Sequence, residues 1–142
     1  MSHYFTESDC DPSIIKNLQV ASLGYGNQGH AHALNLRDSG VRVLVGAYDG
    51  SKGGDAARTA GFEVLSVTEA AGRADVIVFS LPDTLMAEIY RKDVLPVTRA
   101  GQSLMFVHGF NIHFGLIRPA AELNVVMVSP KGAGYEIGRA HV

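Results

Sequence analysis

A chain of 142 residues, 46% of them hydrophobic, has the length of one domain and enough apolar side chain for a core, which excludes a disordered polypeptide. Twelve basic and fourteen acidic residues are spread along it for a formal net charge of −2, so no basic stripe supports binding to nucleic acid or to an anionic membrane. Cys10 is the single cysteine, which excludes an internal disulfide and suits a reducing compartment. Met1–Asp11 is polar and acidic, and the longest apolar runs have only strand length. Neither a signal peptide nor a membrane span is expected, and a soluble cytoplasmic protein is the default.

In chain order, strands are expected near Gln19–Leu23, Arg42–Val45, Glu63–Leu65, Val76–Ser80, Ser103–Val107 and Val125–Val128. Most are valine-rich and almost continuously apolar, as parallel strands covered on both faces must be. Helices are expected between them near Asn27–Asp38, Asp55–Thr59, Val67–Ala71 and Thr84–Tyr90. Gly40 and Gly61 each stand just past a helix as left-handed stops. Pro82 follows the fourth strand, and Asp83 is placed to cap the helix after it. Pro119 and Pro130 break the last third into a loop and a strand terminus. The βαβ alternation predicts an α/β fold, a doubly wound, right-handed, Rossmann-type parallel sheet with helices on both faces.

The first strand runs into Gly24-Tyr25-Gly26-Asn27-Gln28-Gly29, a Gly-x-Gly-x-x-Gly turn that opens a helix. Gly24 permits the tight turn, Gly26 lets backbone approach a pyrophosphate, and Gly29 lets the helix pack closely on the strand. The helix N-terminus then faces the phosphate charge. Ligands of such sheets bind beyond the carboxyl ends of the strands, so the segments found there matter most. They are the glycine turn, Gly46–Gly53, Leu81–Met86, His108–Asn111 and Ser129–Gly134.

With those segments in place, the chain resembles the ketol-acid reductoisomerases (acetohydroxy-acid isomeroreductases). The resemblance covers about Tyr4 to Gly134 without obvious gaps. It is carried by Gly24–Gly40, by His108-Gly109-Phe110-Asn111-Ile112-His113-Phe114 and by Pro130-Lys131-Gly132. It implies conversion of a 2-acetohydroxy acid to a 2,3-dihydroxy acid by alkyl migration and NADPH reduction, a step of valine and isoleucine biosynthesis. Two Mg²⁺ ions serve there as Lewis acids. A homo-oligomer is expected of the full-length enzyme, with a small-molecule substrate, no nucleic acid and no membrane partner.

By position, the resemblance places Tyr25 to Gln28 along the pyrophosphate and Asp83, Thr84, Leu85 and Met86 along the cofactor, with Gly134 as a backbone contact. The family usually has glutamine where Met86 stands, so that contact loses an amide. His108 falls on the active-site histidine, and Lys131 falls near the metal-bound substrate, where an ammonium stabilises oxyanion charge. Without the resemblance, His108 reads as a packed or surface residue and Lys131 as a solvated charge. His30 and His32 are two apart on a helix, point to different faces and read as packing residues rather than metal ligands. His113 is expected to support the turn after His108.

The loop after the second strand selects between NADP and NAD. The family commonly has arginine where Tyr48 stands and serine where Gly53 stands, and both are missing. Ser51 and Lys52 remain as partners for a 2′-phosphate, and Tyr48 can stack on adenine. Asp49 opposes the phosphate if it points inward, although Asp-Gly is also a common solvated turn. NADP(H) is the expected cofactor, with NAD(H) the alternative.

The nucleotide domain is assigned to residues 1–135 and expected to be incomplete at its C-terminus. The family's helical domain, which brings the Mg²⁺ ligands, is expected to lie outside this sequence, and no metal site is assigned within it. Residues 136–142, Glu-Ile-Gly-Arg-Ala-His-Val, match nothing in the family. They read as translation of the sequencing-library adapter AGATCGGAAGAGCACACGTCTGA and are set apart as a non-native tail. Three functions stay open: an enzyme fragment that binds cofactor at most, a nucleotide-sensing module, and a product with too little core to fold. A 3-hydroxyacid dehydrogenase of similar topology is a distant fourth.

Overall fold

The computed structural model describes residues 4–132. Strands β1 (Gln19–Leu23), β2 (Arg42–Gly46), β3 (Glu63–Leu65), β4 (Val76–Phe79), β5 (Ser103–Phe106) and β6 (Asn124–Met127) form one sheet. Their order is β3-β2-β1-β4-β5-β6, and every neighbouring pair is parallel. In register, Ala21 stands between Leu44 and Ile77, Ile77 lies opposite Leu104, and Leu104 lies opposite Val125. A row of apolar side chains therefore crosses the middle of the sheet.

Alternate residues of each strand feed opposite faces, as a period of two requires. Leu23, Ile77, Phe79, Leu104 and Phe106 pack on one face, beneath α4 (Val67–Arg73) and α5 (Asp83–Ile89). Phe79 and Phe106, side by side on β4 and β5, stack with ring centroids 4.7 Å apart. On the other face, Val45 joins Tyr25, Ala33, Leu34, Ala57 and Phe62 under α2 (Asn27–Asp38) and α3 (Lys52–Thr59). Burial on both faces is why the inner strands carry continuous apolar runs. The doubly wound parallel sheet expected from the sequence is the observed fold.

Strand limits depart from expectation by one residue at most. Helix α3 begins at Lys52, earlier than expected, because Ser51 caps it through Oγ, which accepts from the Gly54 amide at 3.2 Å. Helix α4 starts in a capping box between Ser66 and Glu69. Gly40 and Gly61 hold φ of +82° and +84° beyond α2 and α3, as left-handed stops do. Asp83 does not cap α5: the N-cap is Pro82, and Asp83 is the first helical residue. Two short helices, α1 (Pro12–Lys16) and α6 (Phe110–His113), and a π-helical turn over Tyr90–Val94 were not anticipated. On β6, Val125, Val126 and Met127 are 44%, 46% and 60% exposed, so this strand is far less covered than its neighbours. Among the described residues, no helix is long and apolar enough to cross a membrane.

The end of the sheet away from the glycine turn is tied by one buried amide. Gln102 Nε2 donates to the carbonyls of Ala71 and Ala74 at the close of α4, at 3.0 and 2.6 Å. Its Oε1 accepts from the Arg99 amide at 2.7 Å. Gln102→Leu strips all three bonds while keeping the bulk, which leaves buried carbonyls without donors. Urea unfolding is expected to show a loss of about 2–4 kcal/mol with an unchanged m-value.

Candidate functional site

Strand order reverses between β1 and β4, and the crossovers from these neighbours leave in opposite directions. A crevice results at their carboxyl ends, the switch point where open α/β sheets take ligands. Gly24 ends β1 with φ +90°, and a Cβ there would stand 2.9 Å from the Ser80 carbonyl oxygen. A Cβ on Gly29 would stand 2.5 Å from the Gly24 carbonyl oxygen. These two positions let α2 start directly against the strand ends. Gly26 is different: a Cβ there would meet nothing within 4 Å, because it would project into the crevice. Gly26 is also the N-cap of α2 and brings no side chain to the first-turn amides, so the positive end of the helix opens on that space.

A cleft of about 670 Å³ extends from this turn towards β2, lined by Gly26, Tyr48, Ser51, Lys52, Gly53 and Pro82 among others. Tyr25 contributes backbone to it, while its ring is buried against His30 and Phe62, with centroids 5.5 and 5.6 Å apart. Tyr48 is half exposed, and its hydroxyl donates to Asp93 Oδ2 at 2.5 Å. Desolvation, then the hydrogen bond to Asp93 and the charges of Asp93 and Glu88, push the phenol up to about 12. Asp49 is fully exposed with Arg58 3.9 Å away, so it points to solvent as a turn residue and not into the cleft.

Beyond β4, Thr84 and Leu85 are exposed on the first turn of α5. Met86 is fully buried in the core, where its Sδ accepts from Asn111 Nδ2 at 3.5 Å, so it packs under the cleft and does not line it. His108 follows β5 at the rim of a second hollow of about 390 Å³, shared with Phe110, Phe114, Met127 and Ser129. Its Nδ1 lies 3.4 Å from Asp83 Oδ2 and also accepts from the Phe110 amide at 3.3 Å. A bare Nδ1 takes the amide, and a protonated one takes the carboxylate, so Asp83 and the turn compete for one ring nitrogen. Lys131 is exposed beyond β6, in a turn fastened to α2 by Gln28, whose Nε2 donates to the Gly132 carbonyl at 2.6 Å. The structure therefore gathers the glycine turn, the β2 loop, the first turn of α5, His108 and the Lys131 turn along one edge. Gly134 and residues 136–142 lie outside the described residues.

His30 packs edge-on against Tyr25, and His32 is partly buried, where desolvation holds its imidazole below the ordinary value. Among the described residues no three His, Cys, Asp or Glu side chains are grouped to hold a metal. The carboxylate set that Mg²⁺ requires is not found there, whereas the crevice, the open α2 terminus and the space before Gly26 suit a dinucleotide.

The profile of the acetohydroxy acid isomeroreductase NADPH-binding domain matches residues 14–142. The chain belongs to this family. The match runs through the seven terminal residues that the sequence reading set apart. Among solved structures, it is similar to an NADH-preferring ketol-acid reductoisomerase from an uncultured archean. Identity is 41% with a TM-score of 0.86, over 92% of this chain and 41% of that one. It is also similar to a semialdehyde dehydrogenase NAD-binding protein from Cupriavidus necator, at 25% identity and TM-score 0.68 over 78% and 40% of the two chains. The 3-hydroxyisobutyrate dehydrogenase of Mycobacterium tuberculosis, at 22% identity and TM-score 0.69 over 83% and 42%, shares the fold. The chain thus spans about two fifths of the length of these relatives.

Two contacts at the site escaped sequence reasoning. Tyr48–Asp93 and Asp83–His108 join residues 45 and 25 positions apart on different elements, and no local pattern announces either.

Two glycine variants separate fold from binding. Gly29→Ala drives a Cβ into backbone that cannot rotate away, so it is expected to cost about 1–3 kcal/mol despite the better helix propensity of alanine. Gly26→Ala fills only open space and is expected to leave stability unchanged or raise it by up to about 1 kcal/mol, while removing the thermal shift on adding a dinucleotide.

The phenol of Tyr48 gives a pH prediction. Its folded value is raised, so its contribution to stability is complete below pH 10 and is lost as pH rises from there through about 12. Burial also raises the Tyr90 phenol, so ultraviolet titration of tyrosinate absorbance should lose one late ionisation in Tyr48→Phe while that of Tyr90 remains.

Proposed function

We propose that the chain is the cofactor-binding part of a ketol-acid reductoisomerase, whose parent reaction turns a 2-acetohydroxy acid into a 2,3-dihydroxy acid in valine and isoleucine biosynthesis. The observation that carries this reading is the crevice at the β1/β4 switch point, open before Gly26 and bounded by the α2 terminus. A bound nicotinamide dinucleotide supplies hydride for the reduction. Gly24 to Gly29 hold its pyrophosphate by backbone, with Asn27 and Gln28 at the helix start. Thr84 and Leu85 border the path to the nicotinamide end, and Asp83 orients His108 there. His108 holds or passes a proton at a ring nitrogen, and Lys131 brings positive charge to the developing oxyanion. Magnesium ligands are assigned to the family's second domain, so these 142 residues are expected to bind cofactor without isomerising substrate.

The cofactor is read as NADP(H). Lys52 and Ser51 line the cleft at the β2 end, and Asp49 points away from it, so two donors face a 2′-phosphate without an opposing carboxylate from the loop. A second reading, NAD(H), draws on Tyr48, which replaces the family's arginine and commits its hydroxyl to Asp93.

Thermal-shift titration with NADPH and NADH tests both readings. A ligand at a hundredfold its Kd adds about 2.7 kcal/mol, or roughly 5–10 °C for a domain of this size. Stabilisation by NADPH at the lower concentration is expected. A lower midpoint concentration for NADH selects the second reading, and no shift with either sinks the binding function altogether.

A further inference from the structure

Asp93 has no place in the glycine turn or in the β2 loop, yet it is the residue that fixes the aromatic wall of the cleft. It lies on the π-helical turn Tyr90–Val94 that continues α5. A π turn carries an extra residue per hydrogen-bonded ring, which re-aims the side chains after it, and such turns recur at functional sites. Here Tyr90 and Val94 both stay buried on the core side while Asp93 reaches the Tyr48 hydroxyl, 45 residues away in sequence, at 2.5 Å. Tyr48 sits just past the end of β2 and lines the cleft beside Lys52 and Pro82. A half-exposed tyrosine held only by its own backbone samples several rotamers. Its ring here is held at both ends, by the backbone just beyond β2 at Cα and by a charge-assisted bond at Oη.

We propose that Asp93 is a positioning residue for dinucleotide binding: it holds the Tyr48 ring as a rigid wall at the adenosine end of the cleft. The inference rests on the dinucleotide reading above and adds a residue to it. The base stacks on a surface already ordered, so binding does not bear the cost of freezing a phenol side chain. Because the effect acts through ring order, it applies to the adenosine half whether or not a 2′-phosphate is present, and it leaves the nicotinamide half alone. Glu88 also faces the phenol from α5, but the hydroxyl bonds to Asp93, so the charge of Glu88 alone does not position the ring.

The test uses the whole chain, with 5′-AMP as the adenosine-half probe and nicotinamide mononucleotide as the other half, each titrated by NMR shift perturbation. Asp93→Ala is expected to weaken 5′-AMP roughly 3- to 10-fold and leave nicotinamide mononucleotide unchanged. Tyr48→Phe keeps the ring but not the bond, so it should lose the same factor, and the double variant should lose no more. Asp93→Asn retains an acceptor and should recover most of the affinity, which a general loss of folding does not do; circular dichroism of each variant checks that the fold persists. Equal 5′-AMP affinity in Asp93→Ala and wild type, with the dinucleotide still bound, overturns the positioning role alone. An equal loss for both half-probes overturns it too, since it marks a structural effect. Wild type that binds neither 5′-AMP nor either dinucleotide overturns the dinucleotide reading, and this inference with it.

Discussion

The distance that governs this molecule is the one between the start of α2 and the turn that ends β1. A Cβ on Gly29 would come within 2.5 Å of the Gly24 oxygen, and one on Gly24 within 2.9 Å of the Ser80 oxygen. Three backbone segments, from β1, α2 and the exit of β4, therefore meet closely, with the Ser80 and Leu81 side chains packed beside them. That closeness makes the helix begin at the strand end and aims its positive terminus into the crevice. It also fixes the direction of α2 over one face of the sheet, where Ala33 is completely buried. A larger residue at that helix position would lift α2 and widen the gap at its N-terminus.

The opposite face holds the rest of the site in place by packing. Phe79 and Phe106 stack as neighbours on β4 and β5, and the chain leaves these strands to form the α5 entry and the His108 turn. Asn111, fully buried, joins the two by donating from Nδ2 to the Asp83 carbonyl at 3.0 Å and to Met86 Sδ. His108 and Asp83 are thus positioned by a shared core and a buried amide, and their own side chains remain partly solvated. A methionine where the family has glutamine fits this arrangement, because the side chain faces Asn111 in the core. The thioether accepts weakly from Asn111 Nδ2 but offers no donor to Asn111 Oδ1, which is buried without a partner.

Those facts also explain what was legible beforehand. Strands β1 and β4 announced themselves because burial on both faces demands unbroken apolar runs, and α2 because Gly24, Gly26 and Gly29 have separate steric tasks that leave a fixed spacing. Gly40 and Gly61 marked helix ends for the same local reason. Asp83 misled: an acidic residue after proline is a good cap by local rules, but Pro82 itself takes the cap position and frees the carboxylate for His108. Helix α3 was read too short because its first turn holds Gly53 and Gly54, poor helix formers rescued by the Ser51 cap and, at Gly54, by burial against Ala47. The π turn had no signature at all, since its extra residue is absorbed by tertiary packing of Tyr90 and Val94. Local chemistry writes itself into sequence, and contacts made only after the sheet closes do not.

Electrostatics at the cleft follow the same division between backbone and side chain. The domain carries a slight negative charge, and of the acidic groups near the β2 end Asp49 and Asp55 are turned towards Arg58 while Asp93 is engaged by Tyr48. On the proposed reading, attraction for a pyrophosphate therefore comes chiefly from the peptide dipoles of α2, which no substitution on the surface removes. Side chains enter only further out, where Lys52 is the one cation lining the cleft among the described residues. On the proposed dinucleotide reading, recognition of the part common to all dinucleotides rests on the backbone at the switch point, and choice among them falls to a few side chains on the β2 loop and the turn that faces it. Exchanges at those residues leave undisturbed the close approach of α2 on which the fold depends.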